Sequence, residues 1–135
     1  KGRYYTVGFY ENNRKVVELP VVEVVNLSEA YTEDDLTIIT GDCTAKECDL
    51  PSELAEDISR TALHVFDATG AKGLARLDFM LDDKEQKPYV LEINAVPGLK
   101  KTSLMPKEAE LAGIVYEDMI EDILMSALQE ELSNV

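Results

Sequence analysis

The chain has 135 residues, 30% charged and 45% hydrophobic, which fits one soluble domain, residues 1–135, large enough to bury a core. Lys and Arg number 13 against 27 Asp and Glu, and the net charge of -14 repels nucleic-acid backbones and anionic membrane surfaces, so neither is an expected partner. No apolar run approaches the roughly 20 residues that span a bilayer and Lys1-Gly2-Arg3-Tyr4 lacks the apolar core of a signal peptide, so the expected compartment is the cytoplasm.

The sequence opens on Lys1 rather than Met and runs directly into strand-like text, as a piece of a longer chain would. Residues 4–10 and 16–25 are rich in β-branched and aromatic side chains, and Asn12-Asn13 between them suits a turn, so an antiparallel hairpin is predicted. Pro20 inside the second run argues for an edge position or a bulge. Residues 26–50 are acidic and polar, with a strand candidate at Leu36-Thr37-Ile38-Ile39, and read as a long loop. Within it Cys43 and Cys48 stand in a Cys-x4-Cys spacing with no second pair, which argues against a structural zinc site, and both are expected as reduced thiols.

From Pro51 to Thr69 apolar residues at Leu54, Ala55, Ile58, Ala62, Val65 and Phe66 form one helical stripe, closed by Gly70. His64 lies in this helix without a nucleophile or second His and receives no role. Residues 74–81 and 88–95 read as strands joined by the polar turn from Asp82 to Lys87. A loop with Pro97-Gly98 leads to a short helix near 105–112 that ends at Gly113. An amphipathic helix over about 117–132 follows, with Met119, Ile120, Ile123, Leu124, Ala127 and Leu128 expected inward. The fold class is therefore α+β, an antiparallel sheet packed with helices.

Chemistry concentrates in the second hairpin. Side chains alternate along a strand, so Arg76 and Asp78 share a face, as do Glu92 and Asn94. A hairpin centred on residue 85 sets Asp78 opposite Glu92 and Arg76 opposite Asn94. Directly paired Cβ atoms lie about 4.5–5.5 Å apart, close enough for two carboxylates and an amide oxygen to share a hard cation. The plainer alternative is that Arg76 neutralises the carboxylates in a salt-bridge cluster. The loop from Ala95 to Ser103 leaves this patch and enters a helix, where the Gly98 and first-turn N–H groups and the Ser103 hydroxyl suit an oxyanion or carboxylate.

Three ordered stretches carry a resemblance: Gly73-Leu74-Ala75-Arg76-Leu77-Asp78-Phe79, then Leu91-Glu92-Ile93-Asn94-Ala95-Val96-Pro97-Gly98, then Thr102-Ser103-Leu104-Met105-Pro106-Lys107 followed by Ala112-Gly113-Ile114. Together they resemble the C-terminal half of the D-alanine:D-alanine ligases of the ATP-grasp superfamily, most specifically over residues 70–125 and more loosely over Gly2 to Val25. The resemblance implies the C-terminal part of an ATP-grasp fold and a ligase that phosphorylates a carboxylate before an amine attacks it, forming a dipeptide for peptidoglycan synthesis. It implies ATP and two Mg²⁺ ions, replaceable by Mn²⁺, with Asp78, Glu92 and Asn94 as metal ligands and Glu92 also at the nucleotide. Arg76 would stabilise charge in phosphoryl transfer and in the tetrahedral intermediate. The Gly98 N–H would assist at the oxyanion, Ser103 and Leu104 would hold the carboxylate of the second amino-acid substrate, and Leu91 would pack on adenine.

The partners so implied are amino-acid substrates, ATP and the missing N-terminal part of the same protein, with a homodimer admitted through a sheet edge or the uncovered sheet face. Several positions depart from the family pattern. Tyr4 stands where a ribose-contacting glutamate is usual, and Ser28-Glu29-Ala30-Tyr31 lacks the phosphate-reaching lysine of the corresponding loop motif. Ala95 replaces a Thr, and Lys100 and Lys101 replace small polar residues. Two further readings follow from them: an ATP-grasp ligase for other amino acids or a hydroxy acid, and a catalytically silent ligase-like binding module.

Overall fold

A computed structural model describes residues 2–26 and 43–134. Strand β1 (Gly2–Asn12) turns at Asn13 and Arg14, both at left-handed φ (50° and 63°), the geometry that matches the twist of a two-residue hairpin, and returns as β2 (Lys15–Glu18). The single strand expected over 16–25 is two strands. Pro20 has no N–H to donate, so pairing breaks over 19–21 and resumes as β3 (Val22–Asn26), with β2 along the C-terminal half of β1 and β3 along its N-terminal half.

The loop expected over 26–50 is corrected at its far end: Cys43–Glu47 forms β4, antiparallel to β3. This edge strand carries no apolar stripe to reveal it. It is held by backbone pairing and by the ion pair of Lys46 with Glu23 at 3.3 Å. The strand candidate at 36–39 and the Ser28–Tyr31 motif lie outside the described residues.

Helix α1 (Ser52–Thr69) ends as expected at Gly70, whose φ of 67° lets its N–H turn back to the last helical carbonyls. Strands β5 (Leu74–Asp82) and β6 (Lys87–Asn94) form the second hairpin, its turn fixed by the Asp82 carboxylate accepting from the Lys84 and Glu85 N–H groups. The two short-loop helices are α2 (Leu104–Leu111) and α3 (Tyr116–Ser133).

The sheet order is β4-β3-β1-β5-β6, with β2 beside β1. Odd-numbered residues of β1 and β5 (Tyr5, Val7, Phe9, Ala75, Leu77, Phe79, Leu81) face Ile58, Ala62 and Phe66 of α1, and the Phe9 and Phe66 rings stack at 4.9 Å. Each large side chain so buried contributes about 1.5–3 kcal/mol. The opposite face carries a second core of Tyr10, Leu19, Met105, Ala109 and Met119 beneath α2 and α3. The inward set expected for α3 is corrected: Leu124, Ala127 and Leu128 face outward, while Met119 and Ser126 are buried. Two polar contacts to the end of β1 set this rotation. Asn12 Nδ2 donates to Asp122 Oδ2 at 2.9 Å, and Ser126 Oγ donates to the Glu11 carbonyl at 3.0 Å.

Candidate active site

Even-numbered residues of β1 and β5 form a polar patch on the sheet face opposite α1. Arg76 is flanked across the ladder by Gly8 and Asn94, and Asp78 by Thr6 and Glu92, so the cross-strand pairs expected from sequence form. The register then slips by one residue beyond Asp78. This bulge leaves Leu91 unpaired and 46% exposed, where a straight hairpin would have paired it.

Asp78 is fully buried and Arg76 is 6% exposed. The guanidinium donates through Nε to Asp78 Oδ1 and through Nη2 to Oδ2, both at 2.9 Å, and Thr6 Oγ1 donates to Oδ1 at 2.7 Å. Burial works against the charge of Arg76. The bond to Asp78 and the charges of Asp78, Glu108 and Glu92 outweigh it and raise its pKa. Arg76 thus neutralises Asp78, though in a buried bidentate pair rather than a surface cluster. Glu92 is exposed, and Asn94 Oδ1 accepts from the Val96 N–H at 3.0 Å, starting the loop to α2.

Two carboxylates and an amide oxygen on neighbouring strands suit a hard, oxygen-seeking cation such as Mg²⁺. Among the described residues no three His, Cys, Asp or Glu side chains converge. A cation held here would draw on Asp78, Glu92 and Asn94. Asp78 Oδ1 accepts from Arg76 and Thr6, whereas Oδ2 accepts one hydrogen bond and keeps an acceptor site, so the residues fit the ion in chemical type.

In the loop, Pro97 is buried and the Tyr116 hydroxyl donates to the Leu99 carbonyl at 2.9 Å. Gly98 is required by close approach, because a Cβ there would lie 2.8 Å from Ser103 Oγ. Ser103 occupies the N-cap position of α2, yet its hydroxyl makes no capping hydrogen bond. The hydroxyl and the free first-turn N–H groups together favour an anion. Leu104 is buried at 4% exposure, so its side chain packs into the fold. Lys101 pairs with Glu117 at 2.6 Å and lies 4.9 Å over the Tyr116 ring, while Lys100 is exposed.

Sequence reasoning missed Thr6, Gly8 and Glu108. The Glu108 side chain is fully buried, its Oε1 accepts from the Gly8 N–H at 2.9 Å, and its Oε2 has no partner. Burial pushes its pKa well above the ordinary carboxylate value, against the Gly8 hydrogen bond and the charge of Arg76. Two signals were available: a carboxylate on the same helical stripe as Met105 and Ala109, and a glycine inside an aromatic strand, which marks a close approach.

Sheet order, a hairpin with facing carboxylates and a glycine loop into a helix define an α+β module with its polar side chains gathered on one sheet face. Residues 1–125 match the family described as "D-ala D-ala ligase C-terminus", and the chain belongs to that family. It is 36% identical over 121 residues to a D-alanine–D-alanine ligase of Carboxydothermus hydrogenoformans, covering 87% of this chain and 38% of the relative. It is 34% identical over 129 residues to one of a Janthinobacterium species, covering 94% and 40%. A Bacillus anthracis D-alanine–D-alanine ligase solved with ATP superposes at a TM-score of 0.76 with 27% identity, over 100% of this chain and 41% of that one. The chain thus spans about two fifths of the length of these relatives. Among the described residues no helix is long and apolar enough to cross a membrane.

Proposed function

We propose that the chain is the C-terminal part of an ATP-dependent carboxylate–amine ligase of the D-alanine:D-alanine type, acting in the cytoplasm on amino acids that supply peptidoglycan. The observation that carries the reading is the placement of Arg76, Asp78, Glu92 and Asn94 on one sheet face, in register, in a chain of this family. ATP with its divalent cations, when bound, supplies the phosphoryl group that activates a carboxylate. Asp78, Glu92 and Asn94 would hold those cations, and the unpaired Leu91 at the bulge offers an apolar contact for the nucleotide base. Arg76 would contribute a positive charge where negative charge develops, and the Gly98 N–H would contribute a donor. Ser103 Oγ and the Leu104 N–H would orient the carboxylate of the attacking amino acid at the α2 N-terminus.

One chain of this length lacks the opposing wall of the site, so amino-acid-dependent phosphate release from ATP is the test, measured on the protein in its full natural form beside the 135-residue chain. Release dependent on D-alanine in the full form only, abolished by Glu92→Gln, is the expected result. Release dependent instead on another amino acid or a hydroxy acid would reassign the substrate. Absence of any release from the full form would make the chain a silent ligase-like module, the reading favoured by Tyr4 in place of the ribose-contacting acid.

A further inference from the structure

We propose that Glu108 is the alternate anionic partner of Arg76, receiving its guanidinium when a divalent cation takes the Asp78 carboxylate. The inference rests on reading Asp78 as a cation ligand. Asp78 spends both oxygens on Arg76 and one of them also on Thr6. A cation on the remaining acceptor site of Asp78 Oδ2 cancels the carboxylate charge and repels the guanidinium, which at 6% exposure has little access to water. A buried charge left without a partner is costly, so the displaced group needs a second acceptor within the fold.

Among the described residues two buried side-chain atoms lack a hydrogen-bond partner, Tyr5 Oη and Glu108 Oε2. Tyr5 belongs to the α1 face, on the other side of the sheet from Arg76. Glu108 lies on the correct side. Its Oε2 sits 2.9 Å from where a Gly8 Cβ would stand, and Gly8 is the residue paired directly with Arg76. The free oxygen therefore takes the place of a cross-strand side chain beside Arg76, a spacing of about 5 Å between paired Cβ positions.

The break at Pro20 explains how the carboxylate comes to be there. Leu19 still donates its N–H to the Gly8 carbonyl at 2.8 Å, but the return bond from the Gly8 N–H goes to Glu108 Oε1 instead of to β2. Satisfying one N–H needs a single oxygen. A glutamine would serve that purpose, and a neutral amide is cheaper to bury than a carboxylate. What a carboxylate adds is the capacity to neutralise Arg76.

The test is a titration of the 135-residue chain with Mg²⁺ alone, read from the side-chain Nε–H resonance of Arg76. In the wild type this resonance moves and saturates. Glu108→Gln keeps the Gly8 hydrogen bond and the fold, yet weakens apparent Mg²⁺ affinity about tenfold, because one charged hydrogen-bond partner is lost. Unchanged affinity in Glu108→Gln overturns the inference if Asp78→Asn does weaken binding. An Asp78→Asn chain that binds as wild type, or a wild type that takes no Mg²⁺, overturns the cation-site reading and this inference with it. Should Glu108→Gln fail to fold, a wild-type structure with Mg²⁺ decides: Arg76 still bidentate on Asp78 overturns the proposal.

Discussion

The two faces of the central sheet are built from alternate residues of the same two strands and have opposite character. The α1 face takes Tyr5, Val7, Phe9, Ala75, Leu77, Phe79 and Leu81, whose interactions are non-directional and shared among many neighbours. The other face buries Thr6, Arg76, Asp78 and Glu108, each tied to one or two named partners. The difference teaches that folding and chemistry are separated by strand period rather than by domain. The α1 core and the smaller core beneath α2 and α3 stabilise the sheet, and the polar patch beside the latter draws on that stability to hold a buried ion pair that contributes little to it.

That separation is broken most directly by single and double substitutions on β5. Phe79→Ala on the α1 face should cost about 3–5 kcal/mol in urea unfolding through lost contacts and a cavity. Asp78→Ala should cost a similar amount, about 3–5 kcal/mol, by stranding the Arg76 guanidinium. The faces part in the double variant Arg76→Met with Asp78→Leu, which removes both charges and should be as stable as wild type or about 1–4 kcal/mol more stable. A double variant as unstable as Asp78→Ala would show that the polar face also carries the fold.

The α1 face was legible in the sequence because apolar residues recur with period 2 in β1 and β5 and with helical period in α1, and burial follows period. Arg76, Asp78, Glu92 and Asn94 were legible for the same reason: two strands and a short turn fix their register. The Leu91 bulge was not, since a slip of one residue leaves no mark on the alternation of Glu92 and Asn94. Strand β4 was hidden by its polar composition, and the rotation of α3 by a stripe broad enough to dock in more than one way. Glu108 was hidden because its partner is a backbone N–H a hundred positions away, freed by the break at Pro20.

A smaller effect sharpens the comparison through pH. Burial raises the Glu108 pKa in the folded chain, so below the ordinary carboxylate range both folded and unfolded states hold the proton and its contribution to stability is fully present. As pH rises through about 4.5 the unfolded chain releases that proton first, stability falls, and the loss continues up to the raised folded pKa. Glu108→Gln has no proton to release. Its urea midpoint should therefore match wild type at acid pH and exceed it increasingly toward neutrality, by up to about 1.4 kcal/mol for each pH unit of that window. A constant offset between the two would show that the carboxyl titrates alike in both states.

The smallest effect belongs to α3, which repeats the two-sided logic of the sheet on one helix. Its inner line holds Met119 at full burial, whereas Leu128 on the outer line is 53% exposed and touches the shallow apolar strip that also includes Leu124 and Met125. Met119→Ala should cost about 2–5 kcal/mol, as truncation in a packed core does. Leu128→Glu should change stability by less than about 0.5 kcal/mol, because the side chain already meets water and leaves no cavity. The hydrogen bonds of Asn12 to Asp122 and of Ser126 to the Glu11 carbonyl hold the helix in this rotation. A loss above about 1 kcal/mol in Leu128→Glu, measured by urea unfolding, would mean that Leu128 packs inward after all. The inward set read from sequence would then describe α3 better than those two bonds do.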